Sequence, residues 1–187
     1  MINPMVARLV PDPFDRKGWL FELKWDGFRA IAETDGQGAV KLYSRNQIDF
    51  KKRFPPIAQA LEELGRPATL DGEIVALDET GRSRFEWLVN RGKQEGTLVY
   101  YVFDLLSLDG KDLRELPLLE RKVRLQRLLK NHERLIYVDH IEDRGLEMFA
   151  GALALRLEGV VAKNAASPYV QGPQLTWHWQ KIKSREL

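Results

Sequence analysis

The chain has 187 residues, of which 44% are hydrophobic, enough for one domain, or one domain with a small appendage, around a buried core. It has no window near the roughly 18 uninterrupted apolar residues of a membrane helix and no basic-then-apolar opening of a secretion signal, and the absence of cysteine excludes disulfides and thiolate metal sites, so a soluble, cytoplasmic protein is expected. The formal charge of +2 is too small to announce a nucleic-acid binder, but Lys41, Arg45, Lys51, Lys52 and Arg53 face only Asp49, and Lys163, Lys181, Lys183 and Arg185 face only Glu186 after Gly159. Such patches suit either a solvated face or a phosphate backbone.

In chain order, Trp19 to Lys24 and Phe28 to Thr34 read as strands flanking Asp26-Gly27, a pair that favours a tight hairpin turn. Ala39 to Ser44 is a third strand after the turn Gly36-Gln37-Gly38. Pro56 to Leu64 is a helix with Ile57, Ala60, Leu61 and Leu64 on one face, and Gly65 is its stop. Thr69 to Leu77 and Leu98 to Leu106 are strands rich in β-branched, aromatic and aliphatic residues, with a short helix at Phe85 to Arg91 between them. Leu118 to Leu129 alternates apolar residues with Arg121, Lys122, Arg124 and Arg127 and predicts an amphipathic helix with a solvated basic face. Leu146 to Leu157 is a further helix, and Gly159 to Lys163 and Thr176 to Lys183 are strands. Strands outnumber helices, and regular strand–helix alternation is missing. The expected class is α+β, with largely antiparallel sheets and flanking helices, rather than a doubly wound parallel sheet.

Several chemistries are unsupported. His132, His140 and His178 lie far apart with no i, i+4 pair, so a zinc hydrolase motif is not present. Neither Gly92-Lys93 nor Gly110-Lys111 sits in a P-loop, the Gly36 region lacks dinucleotide-fold spacing, and no GxSxG elbow occurs. Lys24, at a strand end before Asp26-Gly27, reads by itself as a solvated charge. To act as a nucleophile it must attack unprotonated.

The run Lys24-Trp25-Asp26-Gly27-Phe28-Arg29 fits the KxDGxR pattern, and other segments follow it in order: Ser44-Arg45-Asn46, Leu70-Asp71-Gly72-Glu73, Tyr101-Val102-Phe103-Asp104, Glu158-Gly159-Val160-Val161-Ala162-Lys163 and Trp179-Gln180-Lys181-Ile182-Lys183. Together they resemble the covalent nucleotidyltransferases, the superfamily of ATP-dependent DNA ligases and mRNA capping enzymes. The wording is most similar to the ligase domain of bacterial ligase D, with Asn90-Arg91-Gly92, Phe103-Asp104-Leu105-Leu106 and Ser167-Pro168-Tyr169 as supporting details.

The resemblance implies one adenylation domain over residues 1–187, with the nucleotide held between sheets. It implies that Lys24 attacks the α-phosphate of ATP to form lysyl-AMP, for transfer to a DNA 5′-phosphate. Lys181 and Lys183, two apart on one strand, would share a face and reach that phosphate. Glu158, and with it Glu73, would hold Mg²⁺ or Mn²⁺, and Glu73 would also lie near the ribose. Phe103 would stack on adenine, Glu22 and the backbone of Leu23 would read the base edge, Arg29 and Arg45 would contact the nucleotide, or a DNA 5′-phosphate once the strand is bound, and Lys163 would be a further nucleotide contact. Taken singly, Phe103 reads as core packing beside Tyr101 and Leu105, Asp71-Gly72 as a turn, Glu158 as a helix end and Lys163 as a surface residue.

The implied partners are nicked or broken duplex DNA and a Ku-like end-binding protein, for a monomer associated with the bacterial nucleoid. Ligases of the family continue into an OB-fold domain of about 80–100 residues, for which these 187 residues have no room. The expectation is therefore a complete nucleotide pocket with slow adenylation and weak or absent nick sealing. The competing readings are a GTP-using capping-type guanylyltransferase, an RNA ligase, and a non-catalytic nucleic-acid-binding module.

Overall fold

A computed structural model of the protein describes residues 1–90 and 96–184. In chain order the elements are β1 (Val6–Leu9), β2 (Trp19–Lys24), β3 (Phe28–Asp35), β4 (Val40–Ser44), α1 (Pro55–Glu62), β5 (Pro67–Leu77), α2 (Phe85–Val89), β6 (Thr97–Leu108), β7 (Lys111–Asp112), α3 (Leu118–Leu128), β8 (Leu135–Tyr137), β9 (Ile141–Glu142), α4 (Gly145–Ala154), β10 (Gly159–Asn164) and β11 (Leu175–Lys183). The strands form two sheets. The first runs β1-β11-β10-β2-β9; the second runs β4-β3-β5-β6-β7, with β8 also paired to β6. Pairing is antiparallel except for β1 with β11 and β6 with β8, in keeping with the expected α+β class.

Period-two patterning assigns each sheet one buried outer face. Ala30 and Ala32 of β3, Leu70, Ile74 and Ala76 of β5, and Leu98, Tyr100 and Val102 of β6 pack with Ile57 and Leu61 of α1 and Leu125 and Leu128 of α3. Phe21, Val160, Ala162 and Ile182 of the first sheet form a separate core with Ala152 of α4. Each large aliphatic or aromatic side chain buried this way contributes roughly 1.5–3 kcal/mol. A small cluster of Met5, Leu106, Tyr169 and Trp179 brings together residues from both halves of the chain. Helices thus back the two sheets, and a cleft opens between the inner faces.

Three expectations need correction. Asp26-Gly27 does not close a hairpin, because β2 and β3 belong to different sheets. The segment is a crossing: a Cβ on Gly27 would lie 2.2 Å from the Ile74 carbonyl oxygen, and Trp25 stacks on Tyr101 with ring centroids 4.1 Å apart. Glycine is needed there for the close approach of backbone to backbone.

Asp71-Gly72 is likewise no turn but lies inside β5 at an irregularity in its pairing with β6. Asp71 is opposite Asp104 and Gly72 opposite Val102, so Phe103 is an extra, unpaired residue. That bulge re-aims the strand: Phe103 lines the cleft while Leu105 joins the core behind the sheet, and the two do not share a face. The third correction concerns α3. Its buried residues are Leu118, Arg121, Lys122, Leu125 and Leu128, so two of its four basic residues point inward rather than to solvent. Arg91 and Gly92 of the Asn90-Arg91-Gly92 segment, the end of the helix expected over Phe85 to Arg91, and Arg185 and Glu186 lie outside the described residues.

Candidate active site

The register of the first sheet assembles the site. Lys24, Gly159 and Lys183 stand opposite one another across β2, β10 and β11; the next row is Glu22, Val161 and Lys181, and the next is Leu20, Lys163 and Trp179. Directly opposed residues share a face, so three strands remote in sequence form one surface graded from charged to aromatic. Gly159 has φ of +149° and a Cβ there would lie 1.9 Å from the Ile182 carbonyl oxygen, so only glycine fits between the two lysine-bearing strands. The second sheet supplies Arg29 from β3, Glu73 from β5 and Phe103 from β6, and Arg45 follows β4.

Between them lies a cleft of about 250 Å³ lined by Glu22, Leu23, Lys24, Arg29, Arg45, Glu73, Phe103, Lys163 and Lys181. Glu158 and Lys183 adjoin it through Lys24, since Glu158 is ion-paired to both lysines. All eleven candidates from the sequence are therefore gathered at one place.

At one end, charge is abundant and partly open to water. Lys24 and Glu158 are 22% and 23% exposed and Lys183 is 47% exposed. Burial opposes ionisation of Glu158, but its bonds to Lys183 and Lys24 overcome this and hold its carboxyl below the usual range. Lys181 is pushed down by burial and then by Lys183, Lys24 and Arg45, which surround it with like charge. Glu73 is pushed up to about 7, chiefly by burial, and no hydrogen bond anchors its carboxyl among the described residues. This end can take a multiply charged anion.

At the other end, charges are buried and paired. Glu22 is 2% exposed; Lys122 Nζ donates to its Oε1 at 2.5 Å, and Lys163 Nζ is 2.6 Å from its Oε2. Burial raises the cost of the Glu22 carboxylate, yet the two lysines hold its pKa below the usual range. The Lys163 ammonium lies 4.2 Å from the ring centroids of both Phe103 and Trp179, so Lys163 is a buried residue, not the surface lysine it resembles in isolation. Arg29 binds Asp71 in bidentate fashion at 3.0 and 2.7 Å, and Tyr169 donates to the same carboxylate at 2.5 Å.

Lys122, Asp71, Tyr169, Val161 and Trp179 were not among the candidates. Two had a readable signal: Trp179 alternates with Lys181 and Lys183 on one strand face, and Lys122 falls on the i, i+3, i+4, i+7 stripe of α3.

Among the described residues no three His, Cys, Asp or Glu side chains cluster closely enough to hold a metal by themselves. Mg²⁺ seldom needs such a cage, since it keeps waters and takes one or two carboxylates with substrate phosphates. Glu158, a partly exposed carboxylate beside the cationic group, fits that mode, with Glu73 as a second oxygen donor across the cleft. No helix among the described residues is long and apolar enough to cross a membrane.

Residues 4–183 match the family described as ATP dependent DNA ligase domain. The chain is 37% identical over 191 aligned positions to the multifunctional non-homologous end joining protein LigD of Pseudomonas aeruginosa, covering 99% of this chain and 22% of that protein. It is similar to the ligase domain of Mycobacterium tuberculosis LigD, with a TM-score of 0.87 at 32% identity. It is also similar to a mycobacterial DNA ligase D complexed with ATP and MES, with a TM-score of 0.86 at 33% identity. Both alignments cover 97% of this chain and 60% of the other. The chain therefore spans about a fifth of the full-length relative and three-fifths of the solved domains. With the two-sheet fold and this match in agreement, the chain belongs to the family of ATP-dependent DNA ligase domains, as an adenylation domain.

Proposed function

We propose that Lys24 is the nucleophile of ATP-dependent self-adenylation. The observation that carries this reading is the placement of Lys24, Glu158 and Lys183 in one contact cluster at the charged end of a cleft whose far end is aromatic and holds a buried acceptor, Glu22. The gradient suits a nucleotide: polyphosphate among Lys24, Lys181, Lys183 and Arg45, base beside Phe103. Lys24 Nζ attacks the α-phosphorus; the P–N bond forms as the bond to the pyrophosphate oxygen breaks, pyrophosphate leaves with the electron pair, and the nitrogen sheds its protons to solvent. This step depends on positioning and charge neutralisation. Lys181 and Lys183 hold the phosphates, Arg29 and Glu73 flank the sugar side, and Lys163 and the Leu23 backbone border the base with Glu22. Glu158, with Glu73, would hold Mg²⁺ or Mn²⁺, which when bound neutralises phosphate charge and polarises the phosphoryl oxygens.

The onward reaction, transfer of AMP to a DNA 5′-phosphate in a nicked or broken duplex, follows from family membership. The DNA ligases among the relatives favour it over the capping-type, RNA-ligase and non-catalytic readings. A Ku-like end-binding partner, a monomeric state and a nucleoid location are part of the same proposal, drawn from the likeness to an end-joining protein. Residues 1–187 are proposed to act as one adenylation unit. Intact mass before and after ATP with Mg²⁺ tests the central claim. A gain of one AMP that disappears in Lys24→Ala supports it, and a folded protein that gains no AMP with any divalent cation overturns it.

A further inference from the structure

The basic residues of α3 have no part in the reading above, yet Lys122 reaches the base end of the cleft from behind the sheet. Its side chain is 0% exposed. It donates to Glu22 Oε1 at 2.5 Å and to the Val138 carbonyl oxygen at 2.9 Å, and its ammonium lies 4.7 Å from the Tyr137 ring centroid. Glu22 and Val138 both line the cleft. One buried cation thus joins a helix, the strand that ends on Lys24 and the segment after β8. Its neighbour Arg121 is equally buried but is spent on Asp104, at 2.7 and 2.9 Å, and on the Ser167 carbonyl oxygen at 2.9 Å, away from the cleft lining.

An ionised carboxylate accepts hydrogen bonds and donates none, whereas a protonated one does both. Where Glu22 meets a purine edge, an ionised, immobile carboxylate favours a 6-amino group and opposes a 6-oxo group. A group that rejects an analogue by leaving polar atoms unpaired discriminates more strongly than one that relies on fit. Lys163 also pairs with Glu22, but it faces the cleft among the rings of Phe103 and Trp179 and is part of the binding surface. Lys122 touches the carboxylate from the protein side only.

We infer that Lys122 is a positioning and specificity-determining residue, which clamps Glu22 as a fixed hydrogen-bond acceptor and thereby selects a 6-aminopurine nucleotide over a 6-oxopurine one. The inference rests on the assignment of Glu22 to the base edge.

The test compares self-adenylation with self-inosinylation, using ATP and inosine triphosphate as probes and intact mass as the readout, on wild type, Glu22→Gln, Lys122→Met and the double variant. All are assayed well below their melting temperatures. Glu22→Gln should lower the ATP preference roughly tenfold. Lys122→Met should lower it by a similar factor, raise the ATP concentration that half-saturates the rate of adduct formation, and leave the maximal rate within about twofold. In the Glu22→Gln background the Lys122→Met change should have no further effect on the preference, because a residue acting through Glu22 has nothing left to act on. If Lys122→Met does not fold, Lys122→Gln takes its place, and the neutral Glu22→Gln/Lys122→Met pair still reports the coupling.

An unchanged ATP preference in Lys122→Met, with Glu22→Gln shifted, overturns the clamp and leaves the base-edge assignment standing. An unchanged preference in Glu22→Gln overturns the assignment itself. A loss of maximal adduct-formation rate with no change in preference would show Lys122 to be structural only.

Discussion

The two ends of the cleft use the same residue types in opposite ways. At the end proposed to take the base, Glu22, Lys122, Lys163, Asp71 and Arg29 form ion pairs whose members, Arg29 apart, are almost wholly buried. At the end proposed for the phosphates, Lys24, Lys183 and Glu158 are paired but open to water, and Lys181 is depressed by burial and by its like-charged neighbours. Buried pairs are costly to break because the remaining charge is stranded in low dielectric, so the buried end is built to stay as it is. Partly exposed pairs are worth little to stability, so the exposed end can exchange its internal partners for those of an anionic ligand. Under the proposed function, stability and reactivity are divided along one pocket.

Substitutions can break or sharpen that division. The largest effect is expected from Lys24→Ala, which should abolish the AMP adduct while leaving the denaturant midpoint nearly unchanged; intact mass and a urea titration measure the two together. Next, Lys183→Ala should slow adduct formation by roughly a hundredfold, through loss of phosphate charge stabilisation, with a stability change within about 0.5 kcal/mol. A large stability loss in either variant would erase the distinction between the two ends.

At the other end the order reverses. Asp71→Asn, which leaves Arg29 without its counter-charge, should cost about 3 kcal/mol of unfolding free energy, read from the shift in urea midpoint.

The smallest effect is a pH dependence. The Glu22 pKa lies below 4.5 in the folded protein, against 4.5 as the ordinary value. Its contribution to stability is therefore fully present above about pH 4.5 and is lost as pH falls through the folded value. The stability advantage of wild type over Glu22→Gln should stay constant from neutral pH down to about 4.5 and narrow below it. An advantage that instead grew on acidification would mean the carboxylate is not held ionised by its lysines.

Much of this was legible without coordinates. The glycine turn before β4 and the long apolar strands of the second sheet follow from local pattern, and Lys181 and Lys183 share a face because strand periodicity requires it. The ordered motifs named every residue of the charged end. Other elements were not legible because their cause is not local. Asp26-Gly27 has hairpin chemistry, but the hydrophobic faces of β2 and β3 bury against different helices, and that tertiary requirement separates them. Phe103 leaves the core side because a bulge, set by Gly72 beneath Tyr101, breaks the alternation. Arg121 and Lys122 look like solvent residues until Asp104 and Glu22 arrive from elsewhere in the chain to pair with them.

What the sequence by itself determined, then, is the set of candidate reactive groups and the strands that carry them, because residue identity, motif order and a two-residue period are local properties. What only the tertiary structure decided is which charges are buried, which face the cleft and which partners they meet. Those depend on contacts between segments far apart in the chain, 134 residues for Lys24 and Glu158, and on desolvation, which exists only once the sheets have closed on one another.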